Sequence, residues 1–166
     1  MDVLKRRNFR KLALHSKVVL TTSIVLIVLG TVLLKFTEHI SWMGAFFHSI
    51  SARTAGFSTY SIGEFTNAGL FVLCVLMFIG ASPGSTGGGI KTSTFFVLAQ
   101  STRSMFSKQA VGAFKRSISS QNVSKAYAIS MLSALVVIVA TFLLCVLEPE
   151  FQFIQLLFEV ISHLVP

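Results

Sequence analysis

FTNAGLFVLCVLMFIGASPGSTGGGIK, residues 65–91, is the stretch that decides the fold. Phe65 to Ile79 has the apolar character of the start of a membrane crossing, and then the pattern breaks. Gly80 to Gly89 reads GASPGSTGGG, a proline with five glycines, which no helix accommodates. From Lys91 to Met105 helix-compatible residues resume. A loop joining two helices is expected to have polar ends, whereas this one splits a single crossing. One reading is a kink or an ordinary connection. The other is a flexible intramembrane segment that blocks or clears a path, its small side chains allowing movement and Ser82, Ser85 and Thr86 hydrogen-bonding the freed backbone or an ion.

The same stretch imitates a nucleotide-binding loop in GSTGGGIKT, Gly84 to Thr92, but that motif needs adjacent Gly and Lys, and Ile90 intervenes. An apolar span precedes it in place of a short buried strand, so ATP hydrolysis is excluded. No nucleophile, base and orienting residue stand together anywhere, and no enzyme is expected.

Upstream, Val18 to Phe36 is a nineteen-residue apolar run whose one charge, Lys35, lies near enough to the end to reach headgroups, predicting a first crossing. Trp42 to Ser51 (WMGAFFHSIS) is too short to cross a bilayer yet apolar enough to enter one, as a re-entrant helix would. The loop after it, SARTAGFST (Ser51 to Thr59), would then lie at membrane depth, where irregular backbone survives only if protein buries it or it lines a water-filled path. A desolvated potassium ion needs oxygens in place of its water, and consecutive carbonyls of Thr54, Ala55, Gly56 and Phe57 supply a row of them. Gly56 can take backbone angles that turn neighbouring carbonyls to one axis. A plain external turn with one glycine is the alternative. His48 lacks a ligand partner three or four residues away and reads as a packed or mouth-facing histidine, and Arg53 as a hydrogen-bonding brace or a charge at an outer mouth.

Downstream, Ala126 to Leu147 is another full crossing, followed by the acidic exit Glu148, Pro149, Glu150 and a second short amphipathic piece, Phe151 to Ser162. The order of spanning helix, acidic exit and short helix thus occurs twice. In the second copy LFEVIS is followed by His163-Leu164-Val165-Pro166.

Composition agrees: 53% of residues are apolar, 12% are charged and the mean hydropathy is +0.77, which is membrane composition. The formal charge of +8 is clustered, with Lys5, Arg6, Arg7, Arg10, Lys11 and Lys17 before the first crossing and Arg103, Lys108, Lys115, Arg116 and Lys125 before the last. Both clusters flank apolar runs, so the positive-inside rule places the N-terminus and residues 103–125 in the cytoplasm and accounts for the charge without nucleic acid. Cys74 and Cys145 lie within apolar runs with no partner at ligand spacing and read as small buried side chains. The first run is too long for a cleavable signal peptide.

SARTAGF followed by FIGASPGSTGGGIKT resembles the third repeat of the Trk/Ktr/HKT potassium transporters, the bacterial TrkH/KtrB-type membrane subunits in particular. The resemblance implies an all-α membrane protein: a repeat of helix, re-entrant pore helix and broken helix, then the first helix and pore helix of the next repeat. It divides the chain into a cytoplasmic basic segment (1–17), a third-repeat-like unit (18–105), a cytoplasmic basic loop (106–125) and an incomplete fourth-repeat-like unit (126–166). Within the third-repeat-like unit lie a membrane helix 18–36, a pore helix 42–51, a filter loop 52–59 and a broken helix 65–105. The last unit holds a helix 126–147 and a pore helix 151–163. By resemblance, Thr54, Ala55, Gly56 and Phe57 match a filter segment in which carbonyls of Thr54, Ala55 and Gly56 coordinate potassium. Gly80, Ala81, Ser82, Pro83, Gly84, Ser85, Thr86, Gly87, Gly88 and Gly89, with Lys91, match an intramembrane gating loop.

Potassium is then cargo, and no cofactor is expected in this chain. The partners implied are the lipid bilayer, the remaining repeats of the transporter, a second copy in a homodimer, and a cytosolic nucleotide-binding regulatory subunit of TrkA/KtrA type. The location implied is the bacterial cell membrane. Against the family's extent the sequence reads as a fragment, a truncated gene product or a frameshift product, with Met1 as an internal start. A non-transporting membrane interaction protein, or a transporter for another substrate built from broken helices, remain the alternatives.

Overall fold

A computed structural model describes residues 14–54, 56–80, 89–107, 112–113, 116–117 and 119–164. In chain order these form α1 (Leu14–Thr37), α2 (Trp42–Ser51), a 3-10 turn (Ile62–Glu64), α3 (Asn67–Phe78), α4 (Thr92–Ser107), a ribbon of β1 (Gly112–Ala113) and β2 (Arg116–Ser117), α5 (Ser120–Leu147) and α6 (Phe153–Leu164). The two strands pair antiparallel. The fold is otherwise helical among the described residues.

Expected helix boundaries move, most of all at two N-terminal ends. α1 starts at Leu14, not Val18, and α5 at Ser120, not Ala126. Apolar patterning marks only the part of a helix suited to an apolar medium, while helical hydrogen bonding continues into polar first turns such as the exposed Ser120, Gln121 and Asn122. The basic loop expected over 106–125 is therefore narrower. α4 runs to Ser107, Lys125 stands on α5, and the ribbon occupies part of what lies between.

The N-terminal half is held together by polar ties to α1. Lys35 Nζ donates to the Ile40 carbonyl at 2.8 Å across the first turn, Ser49 Oγ to the Ile27 carbonyl at 2.9 Å, and Arg53 Nη1 to the Ser23 carbonyl at 3.3 Å. Numbering rises along α2 as it falls along α1, so the two run antiparallel. At 1.5 Å per residue, Arg53 lies about 20 Å back from the C-terminal end of α1. The chain then returns to that end. The Glu38 carboxylate, 8% exposed, accepts from the Thr66 backbone N–H at 2.9 Å and from Thr66 Oγ1 at 2.7 Å. Thr66 Oγ1 in turn accepts from the Gly69 N–H at 3.1 Å and caps α3.

One carboxylate thus ties the end of α1 to the start of α3. Replacing Glu38 with alanine removes two hydrogen bonds to a charged acceptor and is expected to cost about 2 kcal/mol. Glu38→Gln, which keeps an acceptor oxygen, is expected to lose less. Unfolding in detergent reads both, and equal losses would show that the Thr66 tie contributes nothing.

α3 is the common wall of two apolar clusters. Leu34, Ile40, Ala45, Phe65, Leu70, Leu73 and Leu76 join α1, α2 and α3. Cys74, Met77, Val137, Val160 and Ile161 join α3 to α5 and α6. The outer face of α5 is different: Leu132, Leu135, Phe142 and Val146 are each more than half exposed, a contiguous apolar surface that water does not favour. Two helices, His15–Thr37 and Ser120–Leu147, have the length and apolar character to cross a bilayer.

Candidate functional site

The site is built on the end of α2. Ser41 caps this helix, its Oγ accepting from the Gly44 N–H at 3.0 Å, and the helix ends at Ser51. Ser51 is buried and holds the following loop with both of its polar groups. Its carbonyl accepts from the N–H groups of Thr54 (3.1 Å) and Gly56 (2.8 Å), and its hydroxyl donates to the Phe57 carbonyl. These ties fold residues 51–57 into a tight return.

Gly56 has φ +68°, the left-handed region. A Cβ placed there would meet nothing within 4 Å, so the demand for glycine comes from the backbone angle and not from crowding. Among hydrogen bonds between described residues, none goes to the carbonyls of Thr54 or Gly56. Thr54 and Phe57 are exposed, Phe57 at 71%. Ala55 lies outside the described residues.

Arg53 is buried at 6% exposure and braces the loop against α1 through Ser23, while its Nε has no partner among the described residues. His48 is buried as well. Its Nε2 stands 3.4 Å from Thr59 Oγ1, and its ring packs at 5.3 Å from Phe65 and 5.8 Å from Tyr60. No group of three or more potential metal-ligating side chains occurs among the described residues.

The family model described as "TrkH: Cation transport protein" matches residues 8–164. The chain belongs to the TrkH cation transport family. Among TrkH-like relatives, Ktr system potassium uptake protein B of Vibrio alginolyticus is 38% identical over a 170-residue alignment covering 95% of this chain and 37% of that protein. Its namesake in Bacillus subtilis is 32% identical, covering 97% and 39%. Potassium/sodium uptake protein NtpJ of Enterococcus hirae is 33% identical, with the same coverage. This TrkH-family chain spans less than two fifths of the length of these relatives. Family membership, with α1 and α5 long and apolar enough to cross, makes it a membrane protein.

The second predicted constellation of this TrkH chain lies at the interruption between α3 and α4. Ala81 to Gly88 lie outside the described residues, but both edges are placed. Ile79 leaves the helix with φ −90° and ψ 63°, its N–H still bonded to the Val75 carbonyl at 3.0 Å. Gly89 has φ +71°, and the Ile90 N–H donates to the Phe78 carbonyl at 2.9 Å. The chain therefore returns to the point at which it left. Gly80 and Ile90 are buried, Lys91 is half-buried, and α4 begins at Thr92, whose hydroxyl is fully buried.

Sequence reasoning singled out Gly56 but not Ser51, whose carbonyl accepts from the Gly56 N–H, nor Ser23, whose carbonyl accepts from Arg53. A serine at the end of an apolar helix has no periodic signature, and its role emerges only when the next six residues fold back over it.

Proposed function

We propose that this chain supplies one repeat, and the first two helices of the next, to the ion path of a potassium-uptake transporter. In this reading residues 18–105 form the third-repeat-like unit. α1 crosses the membrane, α2 is the re-entrant pore helix, residues 52–59 are the filter loop, and α3 and α4 are the halves of a broken second helix. α5 and α6 open the fourth-repeat-like unit. The antiparallel run of α2 beside α1, followed by the return to Glu38, supports re-entry, because a ten-residue helix of about 15 Å covers roughly half of a bilayer core.

The single observation that carries the reading is the left-handed Gly56 directly beyond the C-terminal end of α2. That end bears the negative pole of the helix dipole, which favours a cation and not an anion. Carbonyls of Thr54, Ala55 and Gly56 replace water around potassium, and the Ser51 ties keep the loop from collapsing onto the ion. Arg53, turned away onto Ser23, places its charge in the wall and not in the path. Gly80 to Gly89 with Lys91 act as the gate, and the bond from the Ile90 N–H to the Phe78 carbonyl, which holds the two edges of the interruption together, supports this.

Rubidium uptake in potassium-uptake-deficient cells tests this, using an intact relative whose matching segment is replaced by residues 1–162. Uptake is expected. Its absence from a chimera shown to be inserted and folded would overturn the reading.

We further place the N-terminus and the basic segment between α4 and α5 on the cytoplasmic face of the cell membrane, against a cytosolic nucleotide-binding regulatory subunit, with the full transporter as a homodimer. Charge-neutralising Arg103, Lys108, Lys115 and Arg116 in the chimera is expected to weaken capture of the regulator in a pull-down. Unchanged capture would remove that surface from the interface.

A further inference from the structure

A cavity of about 320 Å³ opens between the first turns of α1, the start of α4 and the first turns of α5. Its lining has two characters. His15, Asn122 and Lys125 stand at the polar ends of α1 and α5 and are exposed, whereas Val18 and Ile129, further along the same helices, and Phe96 on α4 continue the lining with apolar side chains. Among the described residues the lining contains no carboxylate. Ser119, at the N-cap position of α5, makes no side-chain capping bond, so the positive pole of that helix adds to the field at the polar end without a local acceptor.

We propose that this cavity seats an anionic phospholipid of the surrounding leaflet. Its headgroup phosphate lies against Lys125, Asn122 and His15, and one acyl chain lies on Val18, Phe96 and Ile129. An amphiphile matches a lining that changes from cationic to apolar along the helix axis. A free anion would leave the apolar part empty, and an apolar peptide would desolvate Lys125 without compensation. The inference is independent of which ion the protein carries, since it uses only the placement of α1 and α5 in a bilayer. The lipid touches all three helices and would set the position of α4, which leads directly out of the interrupted segment.

Native mass spectrometry of the full chain, released from nanodiscs of equal phosphatidylglycerol and phosphatidylcholine, tests this. Retained phosphatidylglycerol is expected to exceed phosphatidylcholine. Lys125→Gln is expected to lower the retained phosphatidylglycerol about fivefold, the effect of one basic residue near a membrane surface, with Lys125→Arg restoring it. Ile129→Trp, which fills the apolar end, is expected to expel the lipid while leaving the headgroup residues intact. Equal retention of the two lipids, indifference to Lys125→Gln, or competition by inorganic phosphate would each overturn the proposal. So would a change in the proportion of dimer on Lys125→Gln with lipid retention unchanged, which would assign the cavity to a second copy of the chain.

Discussion

Replacing Gly56 with serine, in the chimera that carries residues 1–162, is expected to lower the preference for rubidium over sodium about tenfold while leaving the protein folded. The size follows from the backbone. An L-residue at φ +68° costs about 1–2 kcal/mol, and a difference of 1.4 kcal/mol is a factor of ten in population. The loop escapes that cost by rotating to negative φ. Rotation turns the Gly56 carbonyl out of line and breaks the bond from its N–H to Ser51. Because a Cβ at this position meets nothing, the effect is conformational and should follow left-handed propensity, not side-chain size. Asparagine, which tolerates this region, is expected to fall between glycine and serine, and valine below serine. Competition of sodium against rubidium uptake gives the order. A Gly56→Ser chimera with unaltered preference would take Gly56 out of the ion path, and a preference that tracked side-chain volume would contradict the backbone argument.

The two halves of this prediction were unequally legible. Gly56 stood out because a glycine in a Thr-Ala-Gly-Phe run just past a short aromatic helix can turn consecutive carbonyls to one axis, although a plain external turn would also place a glycine there. The helices were legible because nineteen to twenty-two apolar residues have little choice of structure, and the short piece at Trp42–Ser51 because its length fits neither a crossing nor a strand. What was not legible was the set of ties over long sequence distance. Glu38 to Thr66, Ser49 to Ile27 and Arg53 to Ser23 span 28, 22 and 30 residues; Arg53 was legible as a brace or a mouth charge, but the partner in each tie lies too far along the chain to be read from the sequence. The polar first turns of α1 and α5 escaped for a related reason: hydropathy registers the medium a helix lies in, not the hydrogen bonds that extend it. For the gating constellation only the edges can be compared. There Ile90, read as the residue that spoiled a nucleotide-binding motif, proves to be buried and to close the break onto Phe78.

Gly30→Val in the chimera is expected to destabilise it by about 3 kcal/mol and to abolish its uptake. Gly30 lies where α1, α2 and α3 converge. A Cβ there would stand 2.5 Å from Ser49 Oγ and 2.8 Å from Leu76 Cδ1, closer than packed atoms allow. Small residues permit such approaches between helices, and overfilling one costs about 1–3 kcal/mol, to which the displaced Ser49–Ile27 hydrogen bond adds about 1. The clash on the α2 side is with the tip of one side chain, so it can be relieved. Removing that hydroxyl by Ser49→Ala should recover part of the loss caused by Gly30→Ala, giving a double mutant more stable than the sum of its singles predicts. Strict additivity in detergent unfolding would mean that α2 does not rest on Gly30. The comparison with Gly56 then separates framework from filter: Gly30 variants are expected to lose stability and uptake together, because displacing α2 displaces Ser51 and every bond it makes to the loop, whereas Gly56→Ser changes which ion passes in a protein that remains folded.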